Sequence, residues 1–239
     1  GNGDGEWRVP VGGMGAVTAE LVRVARDAKV SIRAGCPVDA IKPLADGGAT
    51  SFLADREAIT ADVILVNCAP ATLQRLLGNP YRPPVGSQTK INIVVRRLPR
   101  LLSGLEPAIG FAGTLHLGQG YGRLQQAYED AAAGQIPDPM PCEVYCHTLT
   151  DGSILDPELR AAGYHTLTLF GMHTPASLFM SDPSGSRERA KDAALRSLRS
   201  VLSEPLESCL ALDRRGKPCI EVMTPLDIEA ELRMPGGHI

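Results

Sequence analysis

The length, composition and charge of the chain exclude several classes of protein. Its 239 residues are enough for one large domain or two ordinary ones, and a hydrophobic content of 44% is typical of a globular protein with a core. A net charge of -3 provides no broad positive field for nucleic acid or anionic lipid. The apolar runs are far shorter than the roughly 20 residues that a membrane-spanning helix needs. We therefore expect no nucleic-acid partner and no transmembrane segment.

The cysteines predict a reducing compartment. They lack the dense, even spacing of a secreted disulfide scaffold, and no charged-then-apolar leader precedes them. This pattern favours a cytoplasmic protein in which the cysteines are small buried hydrophobes. The six cysteines are Cys36, Cys68, Cys142, Cys146, Cys209 and Cys219.

Three glycines introduce the first predicted helix. Gly12, Gly13 and Gly15 precede residues 17–28, where apolar side chains recur every three or four positions and predict a helix with one face packed on a sheet. A helix start of this kind offers N–H groups that suit an anion, and a tight turn that packs the helix on a sheet is an equal alternative. The order of the glycines does not fit the Gly-x-Gly-x-x-Gly dinucleotide fingerprint. The primary phosphate loop is therefore not expected here.

The residues that follow predict a sheet edge that faces a nucleotide. Residues 63–66 form a continuous apolar run, typical of a strand buried on both faces. Ala69 and Pro70 follow at its C-terminal end, where ligands bind in open α/β sheets. Closely spaced prolines in residues 79–84 predict a domain boundary. The other elements predicted before this boundary are a strand at 30–33, an antiparallel meander at 38–41, 50–53 and 59–61, and a helix at 71–77.

The second half of the chain predicts an antiparallel sheet with two helices on one face, because its strands alternate with few crossover helices. The helix at 187–202 has the clearest periodicity, and Ser186 is its expected N-cap. The other predicted elements are strands at 90–96, 111–117, 142–149 and 165–170, a helix at 123–133, a hairpin of 211–213 and 219–222, and a helix at 226–232.

Two groups of residues invite a metal or hydrolase interpretation, and the spacing supports neither. Cys142, Cys146 and His147 do not follow the Cys-x-x-Cys-His pattern, and in a strand His147 points away from both cysteines. Because a metal site needs three or four convergent ligands, no metal is predicted. The histidines have no Gly-x-Ser-x-Gly partner, and no residue stands out as a catalytic acid or base.

Several strings along the chain resemble the phytoene desaturase-related FAD-dependent oxidoreductases. They are residues 10–16 (PVGGMGA), 31–38 (SIRAGCPV), 66–70 (VNCAP), 90–92 (KIN), 113–118 (GTLHLG), 127–131 (AYEDA), 224–229 (TPLDIE) and 235–239 (PGGHI). The resemblance covers nearly the whole chain. It implies an α/β to α+β fold, in which a partial FAD-binding domain of the glutathione reductase type is joined to a substrate domain with an antiparallel sheet and helices. The implied division is part of the FAD domain at 1–82, the substrate domain at 83–225 and a return toward the FAD domain at 226–239.

The resemblance also implies which residues contact FAD. The backbone of Val38 would lie against the adenine. Ala69 and Pro70 would lie near the pyrophosphate and ribose. The residues that would approach the flavin from the substrate-domain side are Gly236, Gly237 and His238.

The implied function is that of an FAD-dependent oxidoreductase of the dehydrogenase or desaturase type. Its substrate would be a small molecule, and an apolar one by analogy with carotenoid desaturation. One alternative is a non-enzymatic interaction or substrate-binding module without flavin. A second alternative, a flavin amine oxidase, requires an aromatic pair facing the flavin, and the sequence shows no obvious pair. A homo-oligomer is compatible with all three.

The phosphate loop of the family is missing from the 239 residues, and we expect both ends to be cut from a longer protein. A dinucleotide needs its pyrophosphate held at a helix N-terminus. FAD is therefore expected in the longer parent. This chain alone is expected to bind FAD weakly and to be inactive.

Overall fold

The computed structural model describes residues 10–238, so the start of the predicted first domain and the last residue of the return segment lie outside it. Within that range, the helices are α1 (Gly13–Asp27), α2 (Pro70–Leu76), α3 (Pro107–Gly110), α4 (Tyr121–Ala132), α5 (Pro157–Ala161), α6 (Pro183–Arg199) and α7 (Pro225–Leu232). The strands are β1 (Val38–Pro43), β2 (Ala49–Leu53), β3 (Ala58–Ala61), β4 (Gln88–Val95), β5 (Leu115–Leu117), β6 (Cys142–Tyr145), β7 (His165–Met172) and β8 (Ile220–Met223). None of these helices is long and apolar enough to cross a membrane.

A five-stranded antiparallel sheet in the order β5-β6-β7-β4-β8 dominates the second half of the chain. Strand β4 alternates as the sequence predicts, with Ile91, Ile93 and Val95 fully buried. These side chains form one core with the apolar residues of α6, including Ala194 and Leu198. The predicted antiparallel sheet is therefore confirmed, and α6 is one of the helices on the face where the prediction placed two.

Helix α6 begins four residues before its predicted start. Its N-cap is Asp182, whose side chain accepts a hydrogen bond from the Gly185 N–H, so the prediction of Ser186 as the cap is wrong. Pro183 at the first helical position has the φ angle that a helix needs and no N–H to satisfy. Ser186 is instead buried inside the first turns.

A smaller three-stranded antiparallel sheet, β1-β2-β3, confirms the predicted meander. Helix α2 packs against it. Together they enclose a small core around Ile41, Ala49 and Leu76, with Val38 and Ile64 at its margin.

Two predicted strands are absent from the described part of the chain, and both predictions are wrong. Residues 30–33 and 63–66 form no ladder, and the side chains of Val63 and Leu65 are 72% and 93% exposed. Helix α1 has no buried residue, so its apolar face does not pack on a sheet within residues 10–238. An apolar run becomes a buried strand only when neighbouring strands accept its hydrogen bonds, and residues 10–238 offer these runs no such neighbours.

Three boundaries in the second half also differ from the prediction. The strand expected at 111–117 is shortened to β5, because Pro107 starts the short helix α3 just before it. The strand expected at 142–149 ends at Tyr145, and a 3-10 turn, His147–Leu149, follows. The expected hairpin is reduced to a single bridge between Leu212 and Pro218, since proline has no N–H to extend a ladder. Strand β8 pairs with β4 instead.

Candidate functional site

The predicted flavin-facing glycines lie in a turn that is packed tightly against the chain's own backbone. The Gly86 N–H donates to the Gly236 carbonyl at 2.8 Å. A Cβ on Gly86 would lie 2.0 Å from the Gly237 carbonyl oxygen, and one on Gly237 would lie 2.1 Å from that of Pro225. Gly236 and Gly237 both have positive φ angles, of 68° and 63°. These glycines are therefore required for close packing of three backbone segments, whereas His238 beside them is exposed.

Helix α7 positions this turn. Its N-cap, Thr224, and Asp227 form a reciprocal capping box, and the Arg187 guanidinium lies 2.5 Å from the Asp227 carboxylate. Burial raises the pKa of Asp227, but the hydrogen bonds from Thr224 and the pairing with Arg187 outweigh it and hold the pKa below its usual value. Near the other end of the helix, the Glu229 carboxylate accepts from the Gly236 N–H at 2.9 Å.

Of the predicted adenine and pyrophosphate residues, only Val38 belongs to the small core. Val38 lies opposite Leu53 in the smaller sheet and is half-buried against that core. Ala69 is the N-cap of α2, and Pro70 is its exposed first residue. Helix α2 packs the side chains of Leu73 and Leu76 in the same core, so the helix that begins at Pro70 belongs to the same small unit as Val38. The turn of Gly236 and Gly237 packs elsewhere, on Pro84, Gly86 and Pro225.

The glycine segment before α1 does hold an anion, and that anion is a carboxylate of the chain itself. The Gly12 N–H donates to Asp151 Oδ2 at 2.8 Å. Asp151 is 5% exposed, and its other oxygen accepts from the backbone N–H and the hydroxyl of Ser153. The hydrogen bonds from Ser153, and then the one from Gly12, lower the pKa of Asp151. The first turn of α1 is thus joined to the loop before α5.

Replacing Asp151 with alanine is expected to release this end of α1. The Gly12 amide then loses its acceptor, so its hydrogen exchange should become faster. In the unaltered chain the protection of the Gly12 amide, taken relative to an unstructured peptide at the same pH, should fall as the pH drops from the ordinary aspartate pKa of about 3.9 toward the lower native value. The reason is that a depressed pKa means that the native state favours the carboxylate. Exchange measured by mass spectrometry on the peptide that contains Gly12 checks both results. Asp156→Ala, in the cap of α5, is the matched control and should leave that peptide unchanged.

The face of the five-stranded sheet opposite α6, here called the outer face, carries a row of polar and aromatic side chains. The Tyr145 hydroxyl donates to the Glu143 carboxylate at 2.7 Å, and His116 Nδ1 lies 3.8 Å from the same carboxylate. Tyr145 also contacts Phe170 edge-on, with 5.8 Å between ring centroids, and stacks on His147 at 5.8 Å. Burial, followed by the Glu143 hydrogen bond, raises the pKa of Tyr145.

No local pattern in the sequence reveals this group. The aromatic pair is not obvious there because Tyr145 and Phe170 are 25 positions apart and are brought together only by the pairing of β6 with β7. The alternation of Glu143 and Tyr145 with the buried Cys142 and Val144 was a usable signal that these two side chains share one face.

Cys142 in β6 and Cys146, the residue after the end of β6, face the core. Burial raises the pKa of Cys142 to about 12 and also raises that of Cys146. Both thiols are therefore protonated and unreactive at neutral pH. Within residues 10–238, no three His, Cys, Asp or Glu side chains come together in a group that could hold a metal ion.

Comparison with known proteins gives the class of the protein. Residues 1–209 match the family described as flavin containing amine oxidoreductase. This match covers well over half of the chain, and the chain belongs to that family. The flavin oxidoreductase class indicated by the sequence strings is confirmed.

Individual relatives are similar over the whole chain. An uncharacterized protein of Mycobacterium tuberculosis and one of Mycobacterium bovis are each 45% identical over 246 residues, which covers 100% of this chain and 45% of the relative. Pyridine nucleotide-disulfide oxidoreductase domain-containing protein 2 of Mus musculus is 27% identical over 257 residues, which covers 98% of this chain and 42% of that protein. The chain thus spans less than half the length of these relatives.

Proposed function

We propose that this chain forms part of an FAD-dependent oxidoreductase of the dehydrogenase or desaturase type that acts on a small molecule. The observation that carries the proposal is the family match over residues 1–209. FAD, when bound, supplies the chemistry by accepting a hydride or its equivalent from the substrate. The residues of this chain would bind and orient the reactants and exclude water from them.

Residues 1–82 would contribute part of an FAD domain of the glutathione reductase type, residues 83–225 the substrate domain, and residues 226–239 the return toward the FAD domain. The exposure of Val63, Leu65 and the apolar face of α1 supports this division. Further strands of a nucleotide-binding sheet would cover all three. The segment 79–87 has no helix or strand and connects the two sheets, as a domain boundary would.

The described residues fit one wall of an FAD site. Pro70 and His238 are exposed and free to contact a ligand, and the backbone of Val38 lies at the edge of the smaller sheet beside α2. Gly236 and Gly237 would act by fixing the path of the backbone to His238, since their own Cα atoms face protein. The chain has no Gly-x-Gly-x-x-Gly loop, so we expect it to hold FAD weakly by itself.

Oxidation of an amine is a second candidate, and the Tyr145–Phe170 pair favours it. An aromatic pair offers π faces that attract the cationic form of an amine. Bleaching of the bound flavin under anaerobic conditions by amines, but not by neutral hydrocarbons, would favour this candidate. The reverse result would favour the desaturase type.

The test uses a polypeptide of the relatives' length that contains this chain. We expect it to purify with the absorption of oxidised flavin at roughly 450 nm. A colourless protein that does not take up added FAD would instead support the non-enzymatic module.

Replacing Val38 with aspartate in that longer protein should weaken FAD binding by about tenfold, because it places a charge beside the adenine. Ile59→Asp, on the exposed side of β3 in the same sheet, is the matched control for charge and local stability. Flavin fluorescence on titration gives both affinities. An equal loss in the two variants, or no loss in Val38→Asp, would remove Val38 from the site.

A further inference from the structure

A cavity of about 580 Å³ opens on the outer face, at the end of the sheet where β4 finishes and β7 and β8 begin. Asn92, Thr168 and Glu221 contribute to it from three neighbouring strands. Ile154 and Asp213 reach it from two loops. Its volume lies within the range of about 300–1,000 Å³ that small-molecule sites occupy.

The polar floor of the cavity is held in place by its own hydrogen bonds. The Asn92 amide donates to Glu221 Oε2 at 2.8 Å, and the Thr168 hydroxyl donates to Asn92 Oδ1 at 3.3 Å. The second oxygen of Glu221 has no protein partner among the described residues. Asp213 is similar, since its Oδ1 accepts from the N–H groups of Arg215 and Lys217 and its Oδ2 has no partner within residues 10–238.

The rest of the cavity lining is largely apolar, and the Asp and Glu side chains in the lining are negatively charged. Val94, Ile154 and Pro218 supply apolar surface, whereas Glu221 and Asp213 supply two carboxylates. The basic side chains of the adjacent turn do not line the cavity; they are Arg214, Arg215 and Lys217. An apolar cavity with two carboxylates, each with one oxygen that no described residue contacts, is suited to a molecule with an apolar body and a cationic group.

We propose that this cavity binds an organic cation with an apolar body and holds the cationic group between Glu221 and Asp213. Asn92 follows Gly86 by six residues along an extended segment, a separation of about 20 Å at about 3.3 Å per residue. The cavity therefore lies far from the turn that would approach the flavin, and it anchors a part of the ligand that does not react. Only this last step rests on the proposed function, because binding in the cavity requires no flavin.

Cys219 provides a direct measure of occupancy. Its half-buried thiol lines the cavity, while Cys68 is exposed far from it in sequence and serves as an internal reference. The chain is alkylated with iodoacetamide in the presence of octyltrimethylammonium or of octanoate, which has a similar chain and the opposite charge. We expect the cation to protect Cys219 and not Cys68, and octanoate to protect neither. Peptide mass spectrometry measures both thiols.

Glu221→Gln should raise the half-protecting concentration of octyltrimethylammonium about tenfold, because glutamine keeps the contact with Asn92 and loses the charge. Asp46→Asn removes one charge from the exposed turn between β1 and β2 and should leave protection unchanged. Isothermal titration calorimetry of the unaltered chain and both variants with octyltrimethylammonium and with octanoate measures affinity independently of Cys219 alkylation. Absence of binding in both assays, equal protection by octanoate, or unchanged affinity in Glu221→Gln overturns the proposal. A flavin-free longer protein would affect none of these results.

Discussion

Replacing Gly86 with alanine is expected to lower the free energy of unfolding by about 3 kcal/mol or more. The new Cβ would lie 2.0 Å from the Gly237 carbonyl oxygen and 2.7 Å from the His238 nitrogen. Both atoms belong to backbone, so no flexible side chain can move aside. The clash would also break the hydrogen bond from Gly86 to Gly236.

A matched glycine distinguishes this effect from the general consequence of adding a methyl group. Gly113 has no atom within 4 Å of a built Cβ and no positive φ angle. Its replacement by alanine should be neutral or slightly stabilising, since alanine reduces the entropy of the unfolded chain. Urea denaturation of both variants gives the comparison. If Gly86→Ala is as stable as Gly113→Ala, residues 84–86 do not pack on the turn at 235–237 as described.

Glu204 is expected to show the next largest effect, with a loss of about 2 kcal/mol on replacement by alanine. Both of its oxygens accept hydrogen bonds from the Arg97 guanidinium, at 2.6 and 2.8 Å, and the Arg100 backbone N–H adds a third at 2.8 Å. The Glu204 side chain is only 9% exposed. These bonds join the loop after β4 to the segment after α6, so their loss should destabilise the edge of the main core.

Glu207 is the control for Glu204. Its carboxylate pairs with Arg199, but the side chain is 57% exposed, and exposed pairs contribute about 0–1 kcal/mol. If both replacements lower the free energy of unfolding by the same amount, the hydrogen bonds of Glu204 to the loop add no more stability than an exposed ion pair. Chemical denaturation at pH 7 measures both.

The pH dependence of the Glu204 effect has a defined sign. The hydrogen bonds from Arg97, and then from the Arg100 backbone, hold the pKa of Glu204 well below its usual range. The native state therefore favours the carboxylate. The resulting stabilisation is complete above the ordinary glutamate pKa of about 4.3 and declines as the pH falls from there toward the native pKa. The difference between the unaltered chain and Glu204→Gln should accordingly shrink between pH 6 and pH 3.

The elements that the sequence predicted well are those whose pattern is local. Strand β4 alternates buried and half-buried residues, and helix α6 repeats apolar residues at helical spacing, so both follow from the sequence alone. The predicted cap of α6 is wrong because Ser186 and Asp182 are both good capping residues, and the pattern does not say which of them precedes the first helical turn. The apolar run 63–66 is not a strand although its pattern predicts one, because strand formation depends on neighbouring strands that no local pattern reveals.

The role of Gly236 and Gly237 beside the flavin stays a prediction from the sequence strings. The contacts of these glycines with Pro84 and Pro225 depend on the return of the chain after α7, and no string shows them. The acceptor of the Gly12 N–H, Asp151, lies 139 positions away, and nothing local pairs the two. The group on the outer face and the cavity beside it are made by the register of strands far apart in sequence, and no motif marks them.

By itself, the sequence determined the flavin oxidoreductase class, the meander of the smaller sheet and the antiparallel character of the larger one. These features can be predicted from short sequence motifs and from apolar periodicities of two and 3.6 residues, which depend only on a few neighbouring positions. Only the tertiary structure decided which glycines pack against other backbone segments, which carboxylate accepts the hydrogen bond at the start of α1, and which side chains from different strands meet on the outer face. Each of these is a contact between distant segments, and strand register and backbone packing fix such contacts only once the chain has folded.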